Sequence, residues 1–290
     1  MKTLLRIPVF IFVAATAYSC NQQIQSKKPV VVENEGVKIA FSDTGKGEPA
    51  LLFVHGWCIN KSYWNDQIRY FRGTHRTIAI DLPGFGESGK NRKEWDSRMF
   101  SRDVDSVIRV LGLKKVILIG HSMAGVIVLQ AALDNPQPVI GIIGIDNFKN
   151  VGEKETKESR AAFLQALKAL REQFIQTSTD FFNRELFSPS TSAAVKERIL
   201  NDVKKADSNI AVDCLEPDHF NDVAALQDMK KPLYLINSDF GPTDTTGLTA
   251  SHIPYRIYYI HGTGHYPMIE NPDQFNVLLD SAIADIVQDR

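Results

Sequence analysis

From residue 30 onward the chain alternates short runs of consecutive apolar residues with longer stretches in which apolar positions recur every three or four residues. The runs "ALLFVHG", "RTIAIDLPGFG", "KKVILIG", "VIGIIGID", "PLYLINSD" and "YRIYYIHG" end at Gly, Pro or Asp and read as strands buried on both faces. "VVVENEGVKIAFSDTG" predicts two more strands joined at Glu33–Gly36. "YWNDQIRYF", "SRDVDSVIRVLGL" and "AGVIVLQAAL" carry helical spacing. In the second of these, Val104, Val107, Ile108 and Leu111 share one face and Gly112 is the stop. "PDQFNVLLDSAIADIV" predicts a closing helix. Buried strands separated by helices define an α/β fold, with a mostly parallel central sheet and helices on both faces.

The rhythm breaks at residues 148–228, which hold helical stretches such as "SRAAFLQALKALREQF" and "SAAVKERILNDVKKA" but no convincing strand. This predicts an inserted helical lid between two core segments, 30–147 and 229–290. The lid belongs over the carboxyl edge of the sheet, where open α/β sheets bind ligands. The first twenty residues stand apart. Lys2 and Arg6 precede an apolar stretch from Ile7 to Ala17 and then "AYSC". That stretch is too short to span a bilayer comfortably and reads as a secretory signal over 1–19. Small residues before Cys20 fit a bacterial lipoprotein signal. Cys20 would then be the lipidated first residue, 20–29 a polar tether, and the location an exported, membrane-anchored one on the periplasmic or outer surface.

A length of 290 residues suits one large α/β domain with a full-sized core. A net charge of −1 argues against a nucleic-acid partner, since phosphate binding needs clustered Lys and Arg. Beyond Cys20 only Cys58 and Cys214 remain, far apart in sequence, and they are read as two separate thiols.

The chemistry centres on "GHSMAG". Ser122 follows an apolar strand and precedes a helix, the setting of a nucleophile elbow, which needs small residues two before and two after the serine. Gly120 and Ala124 hold those places. The bland alternative is a serine that merely caps the next helix. A nucleophilic serine needs a base, and His265 in "YYIHGTGHYP" follows the last strand within plausible reach. His55 and His121 read as residues that orient turns. His261 and His265 lack a third ligand, so no metal is expected, and no cofactor either: the glycine-rich "DLPGFGESG" matches no phosphate-binding pattern. Backbone N–H donors for a developing oxyanion are expected at Met123 and at Trp57, with Gly56 letting the backbone turn. The acid that orients His265 has three candidates. Asp239, after "PLYLINS", ranks first; Asp146, after "VIGIIGI", is the rival, and Asp244 comes last.

"HGWCINKSYW", "DLPGFGESG", "GHSMAG" and "GTGHYPMIENPDQF", in this order, resemble the α/β-hydrolase superfamily from about residue 30 to the C-terminus. The resemblance implies nucleophile Ser122, base His265 and an acid near Asp239. The departures are Ala124 in place of a glycine and, in "NSDFGPTD", the lack of the glycine commonly found three residues before the acid. The expected activity is hydrolysis of a small or medium acyl ester through an acyl-enzyme. Carbon–carbon bond hydrolysis, lactone opening, perhydrolysis and a non-catalytic ligand-binding scaffold are the alternatives. A serine nucleophile argues against the dehalogenase and epoxide hydrolase chemistry that runs on an aspartate.

Overall fold

The computed structural model describes residues 30–216 and 220–289. The signal, Cys20 and the tether lie outside the described residues. Among these, no helix is long and apolar enough to cross a membrane.

Three short strands open the fold: β1 (Val32–Asn34), β2 (Val37–Ile39) and β3 (Phe41–Asp43). The turn between β1 and β2 takes Glu35 and Gly36 to positive φ, as a tight hairpin requires. Two strands were expected here. The second divides at Ala40, where the backbone leaves the hairpin and is taken up by the 81–89 loop: Ala40 N–H donates to Ser88 Oγ and Asp81 N–H to Ala40 O, both at 2.8 Å. β4 (Ala50–Val54), α1 (Asn65–Phe71), β5 (Thr77–Ile80), α2 (Ser97–Val110), β6 (Val116–His121), α3 (Ala124–Asp134) and β7 (Val139–Ile145) follow.

Next come α4 (Lys157–Glu172), α5 (Phe174–Phe181), α6 (Ala193–Lys205), α7 (Ser208–Asp213) and α8 (Asp222–Met229). The α/β alternation then resumes with β8 (Leu233–Ser238), α9 (Thr246–Ala250), β9 (Tyr255–Ile260), α10 (Pro267–Glu270) and α11 (Pro272–Gln288). The main sheet has seven strands in the order β3-β5-β4-β6-β7-β8-β9. Only β3 runs antiparallel to its neighbour. Strands β4 to β8 are buried along their whole length, which is why they read as unbroken apolar runs instead of alternating ones.

Register fixes what meets at the carboxyl edge. Gly120 of β6 lies opposite Gly144 of β7, Ile145 opposite Ile236 of β8, and Ser238 opposite Ile260 of β9. The residues just past these ends, Ser122, Asp146, Asp239 and His261, therefore emerge side by side.

Candidate active site

Ser122 sits at φ 52°, a left-handed conformation costly for a residue with a side chain, between β6 and α3. The strain persists because the surroundings over-determine the turn. Ser122 N–H donates to Ile145 O, Gly125 N–H to Ser122 O, and the Asn147 amide to both Gly120 O and Ser122 O. Gly120 is obligatory: a Cβ there would lie 2.5 Å from the Ala124 carbonyl oxygen and 2.8 Å from Val128 Cγ2. At 124 the alanine methyl is fully buried without displacing the turn, so that departure from the glycine pattern is absorbed.

The "HGW" turn presses against this elbow. A Cβ on Gly56 would come 2.6 Å from His121 Nδ1 and 3.0 Å from Ser122 Cβ. Close approach, and not a positive φ, is thus what demands glycine; the left-handed residue of this turn is Cys58. The Trp57 and Met123 backbone N–H groups have no acceptor among the described residues, and both residues line the same cavity as Ser122. The Trp57 indole N–H donates to Ala211 O of α7 at 2.7 Å, tying the turn to the helical insertion. Cys58 and Cys214 are free thiols.

His265 Nδ1 lies 2.5 Å from Asp146 Oδ2. The acid beside His265 is therefore Asp146, and the ranking of Asp239 first is corrected. Asp146 takes φ 48° at the end of β7, which swings its carboxylate back over the sheet edge. There Oδ1 accepts from Ser238 N–H and from the Lys149 ammonium, each at 2.9 Å. Its side chain is 3% exposed. Burial pushes the Asp146 carboxyl up, but the hydrogen bond and charge of His265 and the ammonium of Lys149 outweigh burial and hold it down at about 2. Asp239, one strand further out, turns away. It pairs with His261 at 2.6 Å, and the two side chains are 47% and 69% exposed. Asp244 caps the turn into α9, accepting from Thr246 N–H.

The loop bearing His265 is fixed from two sides. His265 N–H donates to Leu186 O of the helical insertion at 2.9 Å, and His121 Nε2 donates to His265 O at 2.7 Å. A Cβ on Gly264 would lie 2.6 Å from that Leu186 oxygen. Burial, with the neighbouring His265, pushes the His121 imidazole down to about 3. It stays neutral and adds no positive charge beside His265. His55 orients its own turn, through Gly56 O at Nδ1 and Leu82 N–H at Nε2. Sequence reasoning missed Asn147, Lys149 and Leu186. "GIDNFK", directly after the strand neighbouring the elbow strand, carried the signal for the first two.

Ser122, His265, Trp57 and Met123 line a cavity of about 990 Å³. Its walls include Val126, Phe148 and Val151 from the core side and Leu167, Leu170 and Phe181 from α4 and α5.

A family model described as "Alpha/beta hydrolase family" matches residues 51–277, and the chain belongs to that family. It is 35% identical over 98 residues to a non-heme chloroperoxidase of Kitasatospora aureofaciens, covering 33% of this chain and 35% of that protein. It is 29% identical over 120 residues to epoxide hydrolase 4 of Homo sapiens, covering 40% of this chain and 33% of that one. The chain thus spans about a third of the length of these curated relatives. Among solved structures, an N-acyl homoserine lactone degrading enzyme superposes with a TM-score of 0.74 at 24% identity, covering 87% of this chain and 99% of that one. A thermophilic esterase from Thermogutta terrifontis superposes with a TM-score of 0.75 at 21% identity, covering 89% and 97%. At these identities the likeness is one of fold.

Proposed function

We propose that the chain is a serine hydrolase acting on carboxylic esters. The observation that carries this reading is one juxtaposition at the sheet edge. A serine held at positive φ opens on the same cavity as a histidine whose Nδ1 is bound by a buried, ionised carboxylate. Ser122 Oγ attacks the ester carbonyl while His265 Nε2 takes its proton, and Asp146 stabilises the imidazolium. The Trp57 and Met123 N–H groups hold the oxyanion. Collapse of the tetrahedral adduct breaks the bond to the alcohol, which leaves with the proton from His265. Water, deprotonated by His265, then attacks the acyl-enzyme, frees the carboxylic acid and restores Ser122.

The residues between β7 and β8 act as a lid in this reading, since α7 and Leu186 touch the oxyanion turn and the histidine loop. The N-terminal segment is a lipoprotein signal that leaves Cys20 lipidated and the enzyme exported and anchored to a bacterial membrane.

The test is labelling of the purified chain by a fluorophosphonate, together with hydrolysis of p-nitrophenyl butyrate. Both are expected in the native sequence and absent in Ser122→Ala. Labelling that survives Ser122→Ala would place the reactive serine elsewhere. A parallel panel tests lactones, and acetate with hydrogen peroxide, because an N-acyl homoserine lactone degrading enzyme and a non-heme chloroperoxidase are among the similar proteins.

A further inference from the structure

A cavity of about 990 Å³ lies at the upper end of what encloses a drug-sized ligand and far exceeds an acetyl group. Its chemistry is one-sided. Leu167 and Leu170 of α4 form a buried apolar wall. Phe163 and Phe181 also line it yet remain about 40% exposed, so the apolar lining continues out to the surface between α4 and α5.

The charged lining is acidic. Asp180, Glu216 and Asp222 contribute carboxylates, and Glu216 is engaged by Arg171. Arg184 is the one cationic side chain besides histidine on the described wall. It is an exposed residue already paired with Glu185 at 2.6 Å. An anionic group entering this space would lose water and meet no free countercharge among the described residues.

Resting on the hydrolase reading above, we infer that the substrate is a neutral ester carrying a medium-length or longer apolar chain. That chain lies along the α4 wall and leads out past Phe163 and Phe181. Small esters and esters with a free carboxylate are disfavoured. Binding of the chain is uniform between ground and transition states, so its signature is a falling KM with a nearly constant kcat.

The experiment measures kcat and KM of the full-length chain on p-nitrophenyl acetate, butyrate, octanoate and decanoate, on octyl acetate against ethyl acetate, and on the p-nitrophenyl monoester of succinic acid. Each buried methylene is worth up to about fourfold, so octanoate or octyl acetate is expected to exceed its short counterpart by at least tenfold in kcat/KM. The succinate monoester is expected to fall at least tenfold below butyrate, since no cation meets its carboxylate. Leu167→Trp fills the wall, and is expected to cut the decanoate-to-acetate ratio of kcat/KM by about tenfold. If circular dichroism shows that Leu167→Trp does not fold, the half-exposed Phe163→Ala takes its place, with the decanoate-to-acetate ratio expected to fall. A flat or falling chain-length profile in both ester series, a succinate monoester as good as butyrate, or a chain-length preference untouched by the wall variant would overturn the inference while leaving the hydrolase reading intact. Absence of hydrolysis and of fluorophosphonate labelling would overturn both.

Discussion

Asp146→Asn is the most discriminating perturbation, because the two carboxylate oxygens of Asp146 have different tasks. Oδ1 accepts from Ser238 N–H and the Lys149 ammonium, and Oδ2 faces His265 Nδ1. In the amide variant the single remaining oxygen is claimed by those two donors. The NH₂ group then faces His265 Nδ1, which must act as an acceptor. The ring proton moves to Nε2, the nitrogen that should receive the serine proton. The variant therefore keeps the Asp146 backbone position and volume but holds the base in the wrong tautomer, and it removes the charge that stabilises the imidazolium.

Two magnitudes bracket the loss. A carboxyl held at about 2 against an ordinary 3.8 corresponds to on the order of 2 kcal/mol of net favourable interaction, or roughly fifty-fold. That figure is what remains after burial has opposed the pairing, and Lys149 contributes to it beside His265, so it serves only as the lower order of magnitude. The serine protease precedent for the same substitution, where the tautomer is also wrong, is a loss of about 10⁴ in kcat. We expect Asp146→Asn to lose between these limits on p-nitrophenyl butyrate, mainly in kcat. Asp239→Asn and Asp244→Asn should stay within about threefold of the native rate, because exposed carboxylates contribute little. Steady-state kinetics on the three variants, with near-native circular dichroism as the folding control, decide the matter. An inactive Asp239→Asn beside an active Asp146→Asn would refute the reasoning.

Gly120→Ala should cost at least about 2 kcal/mol in urea unfolding and most of the activity, since its methyl meets the Ala124 carbonyl and has nowhere to go; a variant with an unchanged midpoint counts against the packing argument. Asp105 is pushed up to about 7 by burial and then by the charge of Asp134. The folded state thus resists its ionisation, and stability should decline as pH rises from about 4, the unfolded value, to about 7. Thermal unfolding at pH 5 and pH 8 should show a larger drop for the native chain than for Asp105→Asn, and equal drops would contradict that origin. Cys20→Ser should abolish incorporation of labelled fatty acid and release the protein from the membrane fraction of a bacterial host; unchanged fractionation would remove the anchor from the proposal.

The parts of the site that rest on local chain geometry were legible in the sequence. Gly120, Ser122 and Ala124 form the elbow from within six residues, and buried strands announced themselves as unbroken apolar runs. The histidine was legible because it follows the last strand of the alternating pattern. The acid was not, because its position depends on comparing two strand ends that look alike: "IGID" and "INSD" each close an apolar run with aspartate. What separates them is non-local. Asp146 lies one strand from the elbow, turns inward at positive φ, and meets Ser238 N–H and Lys149 there. Asp239 lies two strands from the elbow, where the edge strand β9 brings it an exposed partner, His261. A missing glycine before Asp239 was the one local sign that this turn differed from the family's usual acid loop. The helical stretch between β7 and β8 is the other gap. Its helices were visible by periodicity, but Leu186 reaching the histidine loop and Ala211 receiving the Trp57 indole are contacts across 79 and 154 residues, and no periodicity encodes those. The local features supply the serine and its strain; the distant contacts hold its partners in place, and variants at those contacts should change kcat with little effect on unfolding.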